Sequence, residues 1–348
     1  MMPLSYKVAL VCHPYYCTKH SGKGVDRYSY EILKFLLRQN LDLEVLHTGV
    51  STSIYYSSIK EIFFPLQVLQ KDADLYHAVN PVGAKSVAIL HKAPLVTTIH
   101  DMVPFHFGGL KHAYQRLCTE IAVKRSEKLI VPYHITRNEI VSRFDIPREK
   151  IVVINYGVDH QFFFPRKVEK SSKKTVLYIG ELSKFKGVDS LINAFSSVVK
   201  EVKDAELVIG GKGKHLEEMK SLVSRLKMSQ RVRFLGYVPE EKLPEYYSLA
   251  DVSVFPSKFG FGLPTLEAMA CGSPAIAGDS LDASEFIGDA GILIDPEDAD
   301  QLAVAIIKVL TADNPETLSQ RGIEKAKLYS WEKVGERTNK VYEDVLCP

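Results

Sequence analysis

The chain has 348 residues, of which 46% are hydrophobic and 25% charged, and it contains 21 glycines and 17 prolines. This composition is that of an ordinary globular protein and excludes the collagen-like, low-complexity and disordered classes. The formal net charge of +2 and the sequence pI of about 8.1 argue against a nucleic-acid-binding protein. Because a single domain usually has about 150 residues, the length predicts two domains.

Three features of the sequence bear on its compartment. The first residues, Met1 to Val11, form a short apolar run without the pattern of a signal peptide. No stretch reaches the roughly 18 uninterrupted apolar residues of a membrane-spanning helix. The five cysteines are scattered without a C-x-x-C pair, which predicts neither a disulfide framework nor a zinc site. We therefore expect a cytoplasmic protein.

Charge is divided unevenly along the chain. Residues 1–165 hold 19 Lys and Arg against 14 Asp and Glu, a net charge of +5, which leaves 25 against 28, or −3, for residues 166–348. One interpretation is a solvated surface of uneven charge. The other is that the first half contacts an anionic partner, such as phospholipid headgroups at the inner face of a membrane.

Short runs of Val, Ile and Leu alternate with helical patterns through the first half of the chain. The first run, Lys7–Cys12, is followed by a loop rich in glycine and lysine and by a helix predicted over 25–38. Further strands are predicted at 43–46, 75–77, 95–99, 128–131 and 151–154. Continuous apolar runs separated by helices are typical of parallel strands that are covered on both faces.

A polar, charged segment without periodicity predicts a linker at 166–174. After it the alternation restarts, with strands predicted at 175–179, 206–209, 232–235, 252–255, 273–277 and 291–294. Helices are predicted at 188–202, 215–226, 264–270 and 299–310. The predicted domains are therefore 1–165 and 175–330, with a last helix in 331–348 that crosses back onto the first domain.

This organisation predicts an α/β fold, in which two doubly wound, Rossmann-like parallel-sheet domains face a central cleft. Ligands of such sheets bind in the crevice outside the carboxyl ends of the strands. Residues that follow the predicted strands are therefore the first candidates for a functional site.

The stretch from residue 255 to residue 274 is the richest of these. A loop with Gly260 and Gly262 follows a strand, and Pro264 suits the first position of the next helix. The bare amides and the dipole of that helix start predict a phosphate site. Glu267, in the predicted first turn, is interpreted either as a residue favoured by the dipole or as a carboxylate that binds two ribose hydroxyls.

A second glycine loop, Gly180–Gly187, carries Lys184 and Lys186 after the strand at 175–179. Cationic side chains over a diphosphate would neutralise the charge of a departing phosphate oxygen, and a solvated turn is the alternative. A third glycine run, GGKG at 210–213, lacks the full dinucleotide-binding spacing and is weak support for NAD.

Two candidate positions lie in the first half. His100 and Asp101 come at the carboxyl end of a predicted central strand, where a functional role competes with a structural one. The loop around Gly22 and Gly24 precedes the first helix, and it is either a tight turn or a set of amides that hold phosphate or acceptor.

Asp72 and Asp74 form a D-x-D pattern, by which some sugar transferases hold manganese. Here Asp74 runs directly into a predicted strand, so a solvated strand edge is the favoured interpretation. We expect no metal site.

Several sequence segments, taken together in their order along the chain, are informative. In the second half they are GELSKFKGVDSLINAF, ELVIGGKG, VRFLGYVPEEKLPEYYSLADVSVFPS, FGFGLPTLEAMACGSPAIA and GDAGILIDPEDADQLAVAI. The others are SGKGVDRY, VTTIHD, KIVVINYGVD and, at the end, YSWEKVGERTNKVYEDVL. Over nearly the whole chain this order resembles glycosyltransferase family four, the retaining nucleotide-sugar transferases with the GT-B fold.

The resemblance implies specific site residues. The donor-binding positions would be Gly180, Lys184, Lys186, Gly210, Gly236, Tyr237, Val238, Phe259, Gly260, Phe261, Gly262, Leu263 and Glu267. The catalytic candidates would be His100, Asp101 and Lys186, and the loop at Gly22, Gly24 and Val25 would border the phosphate and the acceptor. Within this set, Glu267 would hold the ribose, Lys186 the diphosphate, and His100 would touch the transferred sugar.

Two residues depart from the family pattern. Phe259 stands eight positions before Glu267, where family members usually carry the first of two glutamates. Glu181 follows the first glycine of the diphosphate loop, where an arginine is common, so Lys184 would take the cationic role as a point charge.

By resemblance, the expected reaction moves a hexose from a nucleoside diphosphate sugar to a glycan or lipid-linked hydroxyl acceptor and keeps the anomeric configuration. The nucleotide sugar is a co-substrate, and no other cofactor and no nucleic acid partner are expected. The alternatives are a GT-B binding or scaffold subunit, which the two departures permit, and a nucleotide-sugar epimerase. An NAD dehydrogenase would require a complete dinucleotide fingerprint.

Overall fold

The structure is a computed structural model that describes residues 6–12, 24–39, 41–47, 64–92, 94–258, 262–279 and 281–347. The chain forms two compact units. Unit 1 comprises Met1–Tyr156 and Trp331–Pro348, and unit 2 comprises Gly157–Ser330. Among the helices of the described residues, none has both the length and the apolar character needed to cross a bilayer.

The sheet of unit 1 has six parallel strands in the order β2-β1-β3-β4-β5-β6. The strands are β1 Lys7–Cys12, β2 Asp42–His47, β3 Leu75–Ala78, β4 Leu95–Thr98, β5 Lys128–Val131 and β6 Ile151–Val153. Every residue of β1 after Lys7 is buried. Because successive side chains point to opposite faces, this burial shows that both faces are covered, which explains the continuous apolar runs.

Six helices accompany this sheet in the described part of unit 1. They are α1 Gly24–Arg38, α2 (64–70), α3 Pro81–Ile89, α4 Leu110–Arg125, α5 His134–Phe144 and α13 Trp331–Leu346. One buried cluster joins Val68 of α2, Val87 of α3 and Ala122 of α4 to strand residues. A second cluster joins Ile140 of α5 to β5 and β6.

Unit 2 repeats the design with the strand order β12-β11-β10-β7-β8-β9, again all parallel. Its strands are β7 Lys174–Ile179, β8 Ala205–Gly210, β9 Val232–Gly236, β10 Val252–Phe255, β11 Ala275–Gly278 and β12 Ile292–Ile294. Its helices are α6 Val188–Glu201, α7 Leu216–Arg225, α8 Leu243–Leu249, α9 Leu263–Ala270, α10 Leu281–Ile287, α11 Ala299–Leu310 and α12 Pro315–Ala326. One cluster of buried apolar residues on β7, β8, α6 and α11 forms its core.

The boundary between the units lies earlier than the predicted residue 165, because residues 157–165 pack within unit 2. Phe163 is fully buried, and its ring lies 6.3 Å from that of Tyr247. Val158 and Ser330 form a parallel β-bridge. The aromatic residues before the charged segment are therefore core residues of unit 2, whereas the charge pattern placed the boundary after them.

Helix α13 packs on α1 through a glycine. A Cβ atom at Gly335 would overlap the ring of Phe35, a buried residue of α1. Further along α13, Asn339 Oδ1 accepts a hydrogen bond from the hydroxyl of Tyr6 at 2.7 Å, and Arg337 Nη2 donates to Val153 O at 2.7 Å. The close approach of the two helices therefore depends on the missing side chain at Gly335.

Replacement of Gly335 by alanine is predicted to destabilise the protein. An alanine in a helix interior gains about 1 kcal/mol over glycine, but overlap with a packed ring typically costs about 1–3 kcal/mol. The overlap is expected to exceed the propensity gain, so the urea midpoint of G335A falls. The control is Glu336→Ala, an exposed position next to it. A G335A midpoint at or above that of E336A would show that the helices separate without cost.

Candidate active site

In unit 2 the chain reverses its direction across the sheet between β7 and β10. It proceeds from β7 through β8 to β9, then returns to β10 on the other side of β7 and continues to β11 and β12. Doubly wound sheets bind ligands at such a reversal, outside the carboxyl ends of the strands. The loops that follow β7 and β10 therefore border the candidate site of unit 2.

Backbone hydrogen bonds fix the loop after β7 to the loop after β8. The N–H of Gly180 donates to Gly210 O at 3.0 Å, and the N–H of Leu182 donates to Lys212 O at 3.0 Å. Leu182 is itself fully buried in the core of unit 2. The predicted diphosphate loop is therefore a packed part of the unit.

Close packing explains the glycines of the GGKG run. A Cβ atom at Gly211 would overlap the carbonyl oxygen of Gly180, and one at Gly213 would overlap that of Leu182. The N–H of Gly211 donates to Gly236 O at 2.6 Å, which joins the loop after β9. The loops after β7, β8 and β9 thus interlock through backbone atoms, and glycine is required where backbones approach this closely.

The two predicted lysines lie in a short 3-10 turn at Lys184–Lys186. Lys184 is exposed and Lys186 half-buried. A hydrogen bond from His215 and, more weakly, the charge of Lys184 lower the pKa of the Glu218 carboxyl on α7. Lys184 is therefore close enough to α7 to act on a carboxylate of that helix.

The loop after β10 contacts this turn directly. Phe185 O accepts hydrogen bonds from the N–H of Lys258 at 3.2 Å and from Ser257 Oγ at 3.3 Å. A Cβ atom at Gly187 would overlap the carbonyl oxygen of Pro256. Three predicted site residues of this loop lie outside the described residues and stay predictions: Phe259, Gly260 and Phe261.

Gly262 and Leu263 define the start of α9. Gly262 has a φ of +64°, and a Cβ atom there would overlap the ring of Phe286. The helix begins at Leu263, one residue earlier than predicted, so Glu267 lies in the second turn and not in the first. The interpretation of Glu267 as a first-turn residue favoured by the helix dipole therefore does not apply.

Glu267 is a buried carboxylate, with 7% of its surface exposed. Its Oε2 accepts a hydrogen bond from the hydroxyl of Tyr247 on α8 at 3.4 Å. Burial and, next, the nearby charge of Glu267 raise the pKa of the Cys271 thiol. A buried carboxylate is unfavourable unless hydrogen bonds compensate it, and the hydroxyl of Tyr247 supplies one of these bonds.

At the end of β9, Gly236 is followed by an exposed aromatic ring. Tyr237 is 53% exposed, and Nζ of Lys212 lies 5.4 Å from the centre of its ring. Val238 is buried, and its Cγ2 would lie 2.7 Å from a Cβ atom at Gly210. The predicted base-binding residues thus lie beside the interlocked loops.

His100 and Asp101 belong to unit 1 and follow β4. The His100 ring is buried, with Nδ1 2.6 Å from the hydroxyl of Tyr156 and Nε2 2.8 Å from Val79 O. Burial lowers the pKa of His100 to about 4, so the ring is neutral near pH 7. Asp101 is exposed, and its Oδ1 accepts a hydrogen bond from the N–H of Val103 at 3.0 Å.

The predicted phosphate and acceptor loop is described only where it enters α1. Gly22 lies outside the described residues, whereas Gly24 and Val25 are the first residues of α1. The next turn of that helix carries Tyr28, whose ring centre lies 5.0 Å from that of His100. Unit 1 therefore brings the start of α1 and His100 together.

The D-x-D carboxylates have local partners. Asp72 forms an ion pair with Lys92, and Oδ2 of Asp74 accepts a hydrogen bond from the N–H of Lys7 at 2.7 Å. Over the described ranges, no group of three or more His, Cys, Asp or Glu side chains is placed to hold a metal ion.

The structure adds three site residues that the sequence analysis did not name. Tyr247 contacts Glu267, Tyr156 contacts His100, and Lys212 lies over Tyr237. Each partner comes from a different element, so spacing along the chain carries no signal for the two tyrosines. Lys212 lay within the GGKG run, where its position between glycines was the available signal.

Two family models match the chain. Glycosyltransferase Family 4 matches residues 22–162, and Glycosyl transferases group 1 matches residues 159–328. The O-antigen chain mannosyltransferase B of Escherichia coli is 30% identical over 266 residues, which cover 71% of this chain and 70% of that protein. The chain belongs to glycosyltransferase family 4.

Other comparisons agree with this membership. The D-inositol 3-phosphate glycosyltransferase of Corynebacterium diphtheriae is 28% identical over 289 residues, 73% of this chain and 66% of that protein. The alignments with these two relatives thus span about two thirds of their length. The two family models meet at residues 159–162, close to the boundary between the units.

Solved structures show the fold of this glycosyltransferase. The sucrose-phosphate synthase of Thermosynechococcus elongatus has a TM-score of 0.82 at 21% identity and covers 97% of this chain and 98% of its own. HepE of Anabaena, solved in complex with UDP-glucose, has a TM-score of 0.77 at 19% identity and covers 97% and 100%. At these identities the likeness concerns the fold, and it confirms the predicted GT-B architecture.

Alanine at Gly211 is predicted to damage the glycosyltransferase more than alanine at Gly236. Both glycines have positive φ, +141° and +69°, but a Cβ atom overlaps another residue only at Gly211. The left-handed conformation alone costs alanine about 1–2 kcal/mol, and overlap typically adds about 1–3 kcal/mol. Urea denaturation of G211A and G236A measures the difference. Equal losses would mean that the loops are not held by close packing.

Proposed function

We propose that this glycosyltransferase transfers a hexose from a nucleoside diphosphate sugar to a hydroxyl group of a glycan or lipid-linked acceptor, with retention of the anomeric configuration. The observation that carries the proposal is the carboxyl edge of the unit 2 sheet. There the interlocked glycine loops, the lysine turn and the start of α9 border the chain reversal. The relative named as a mannosyltransferase and the HepE complex with UDP-glucose support a hexose donor of this class.

Glu267 is proposed to bind the ribose of the donor. A carboxylate has two oxygens that accept hydrogen bonds and no donor, which suits a pair of neighbouring hydroxyls. Its burial lowers the local dielectric, and hydrogen bonds to a charged acceptor are stronger there. The base is proposed to lie against Gly236–Val238, where backbone groups and the exposed Tyr237 ring are available.

Lys186 and the N–H of Leu263, the first residue of α9, are proposed to hold the diphosphate. The start of a helix carries positive partial charge. The N–H of Leu263 belongs to the first turn of α9, where the helix itself provides no acceptor for it. Lys184 is proposed as a second cation. Glu181 is exposed. Burial is the main cause of the raised pKa of Tyr178, and the charge of Glu181 is a smaller cause, so the Glu181 carboxylate lies near the Tyr178 hydroxyl.

The proposed step is a front-side displacement. The acceptor oxygen bonds to the anomeric carbon while the bond from that carbon to the β-phosphate oxygen breaks, and the departing diphosphate takes the acceptor proton. Charge therefore grows on the diphosphate, where Lys186 stabilises it. His100 and Asp101 are proposed to lie next to the transferred sugar, near the reacting carbon. Because His100 is buried and neutral, we assign it no proton transfer.

Transfer is proposed to need no metal and no cofactor beyond the nucleotide sugar. In this scheme the lysine side chains supply the positive charge that other sugar transferases take from a cation. The D-x-D pair supports this view, since its two carboxylates are engaged by Lys92 and by the backbone of Lys7.

The function is tested with a panel of UDP, GDP and ADP hexoses and with glycan and lipid-linked acceptors. We expect release of the nucleoside diphosphate to depend on the acceptor in the presence of EDTA, and proton NMR to show the donor's anomeric configuration in the product. A donor present at 100 times its dissociation constant should add about 2.7 kcal/mol of stability, which a thermal-shift screen detects.

Four outcomes would overturn parts of the proposal. An inverted product contradicts retention, and loss of turnover in EDTA contradicts the metal-free scheme. Donor binding without turnover under any acceptor favours a binding subunit. Conversion of the donor sugar without acceptor favours an epimerase.

Lys186→Ala is predicted to lower kcat roughly 100-fold, the usual effect of removing one donor that stabilises charge in a transition state, while acceptor KM changes little. The matched control is Lys200→Ala. Lys200 is an exposed lysine in the last turn of α6, the helix that begins just after the lysine turn. K200A should retain full turnover. Unchanged turnover in K186A, with the wild type active, would refute the assigned role.

A further inference from the structure

Unit 1 contains two buried pairs of a tyrosine and a histidine with the same distance between the hydroxyl oxygen and Nδ1. His77 Nδ1 lies 2.6 Å from the hydroxyl of Tyr342, and His100 Nδ1 lies 2.6 Å from the hydroxyl of Tyr156. Both rings are buried, and burial lowers the pKa of His77 to about 3 and that of His100 to about 4. Both histidines are therefore neutral near pH 7, with one ring nitrogen protonated and the other not.

The partners of His100 decide which nitrogen carries its hydrogen. Nε2 lies 2.8 Å from Val79 O, and a carbonyl oxygen only accepts hydrogen bonds. Nε2 must therefore be protonated, which leaves a lone pair on Nδ1. The hydroxyl of Tyr156 must then donate to Nδ1. The ring is held from both sides, since a flip would place a C–H group against the carbonyl oxygen.

The two pairs differ in their place on the sheet. His77 lies within β3, and its Nε2 is 2.8 Å from the hydroxyl oxygen of Thr98. It therefore forms its hydrogen bonds inside unit 1. His100 lies beyond the end of β4, at the carboxyl edge where ligands of such sheets bind. Its ring is tied to Val79, the residue that follows β3, and Val79 N–H in turn donates to Val11 O of β1 at 3.1 Å.

Tyr156 is held by its ring as well as by its hydroxyl. The ring centre lies 5.9 Å from those of Tyr28 and Tyr133 and 6.2 Å from that of Trp331. These contacts involve only carbon surfaces of the tyrosine. Removal of the hydroxyl therefore leaves the packing of residue 156 in place and deletes one hydrogen bond to His100.

We infer that Tyr156 is a positioning residue for transfer: its hydroxyl donates to Nδ1 of His100, fixes the Nε2-protonated form of the ring and holds that ring in one orientation beyond the end of β4. The inference rests on the proposed function, in which His100 serves the transferred sugar. It assigns no contact with substrate to Tyr156 itself.

The test compares Tyr156→Phe with Tyr342→Phe. Each variant deletes a buried hydroxyl that is hydrogen-bonded to a histidine Nδ1 at the same distance, so both should lose comparable thermal stability. We expect only Y156F to lose kcat, by roughly 10-fold or more, with donor KM unchanged. Y342F should keep the wild-type kcat, because its histidine lies inside β3.

A second readout is independent of turnover. In protein labelled with nitrogen-15 histidine, His100 should show a protonated Nε2 and an unprotonated Nδ1. The Nδ1 resonance should shift in Y156F and stay in place in Y342F. His100→Asn serves to assign the resonance.

Each outcome decides one of the two ideas. If the wild type is active and Y156F has the kcat of Y342F, Tyr156 is a structural residue and the inference is wrong. A hydrogen on Nδ1 of His100 overturns it as well. If the wild type transfers no sugar with any donor or acceptor, the proposed function fails instead, and the nitrogen-15 spectra still decide the hydrogen bond between Tyr156 and His100.

Discussion

The candidate donor site depends on direct contacts between the backbones of neighbouring loops, which are possible because glycine has no side chain at these positions. Three loops at the carboxyl edge of the unit 2 sheet touch one another through carbonyl oxygens and amides, at Gly180, Gly211 and Gly236. The loop after β10 joins them at Phe185 and Gly187. Since the loops after β7, β8 and β9 are bonded to one another, the lysine turn is held in place by the fold, which lowers the entropic cost of binding.

Much of the fold follows from the sequence because both faces of each sheet are buried. Every predicted strand agrees with the structure to within two residues at each end. Helices such as α4 were not delimited, because its apolar residues do not form one stripe: Leu110 is 93% and Leu117 52% exposed. The unit boundary was misplaced because Phe163, next to a charged segment, packs onto a tyrosine far along the chain.

The candidate site was predictable where it is local. Glycine and lysine in the loop after a strand indicated the turn at Lys184–Lys186, and the proline at the start of α9 indicated the helix that carries Glu267. The buried state of Glu267 and its contact with Tyr247 were not predictable, since they depend on how α8 packs on α9. The same holds for His100, whose tyrosine partner is separated from it by 56 positions.

Unit 1 is discontinuous in sequence, because α13 returns to it after the whole of unit 2. That helix buries Trp331, Val334, Val341 and Tyr342, so it completes the interior of unit 1. On the ribosome, the segment that finishes the first unit is made only after the second has been synthesised in full. The later-encoded unit can thus mature first, and the earlier one must remain open at the surface that α13 will cover.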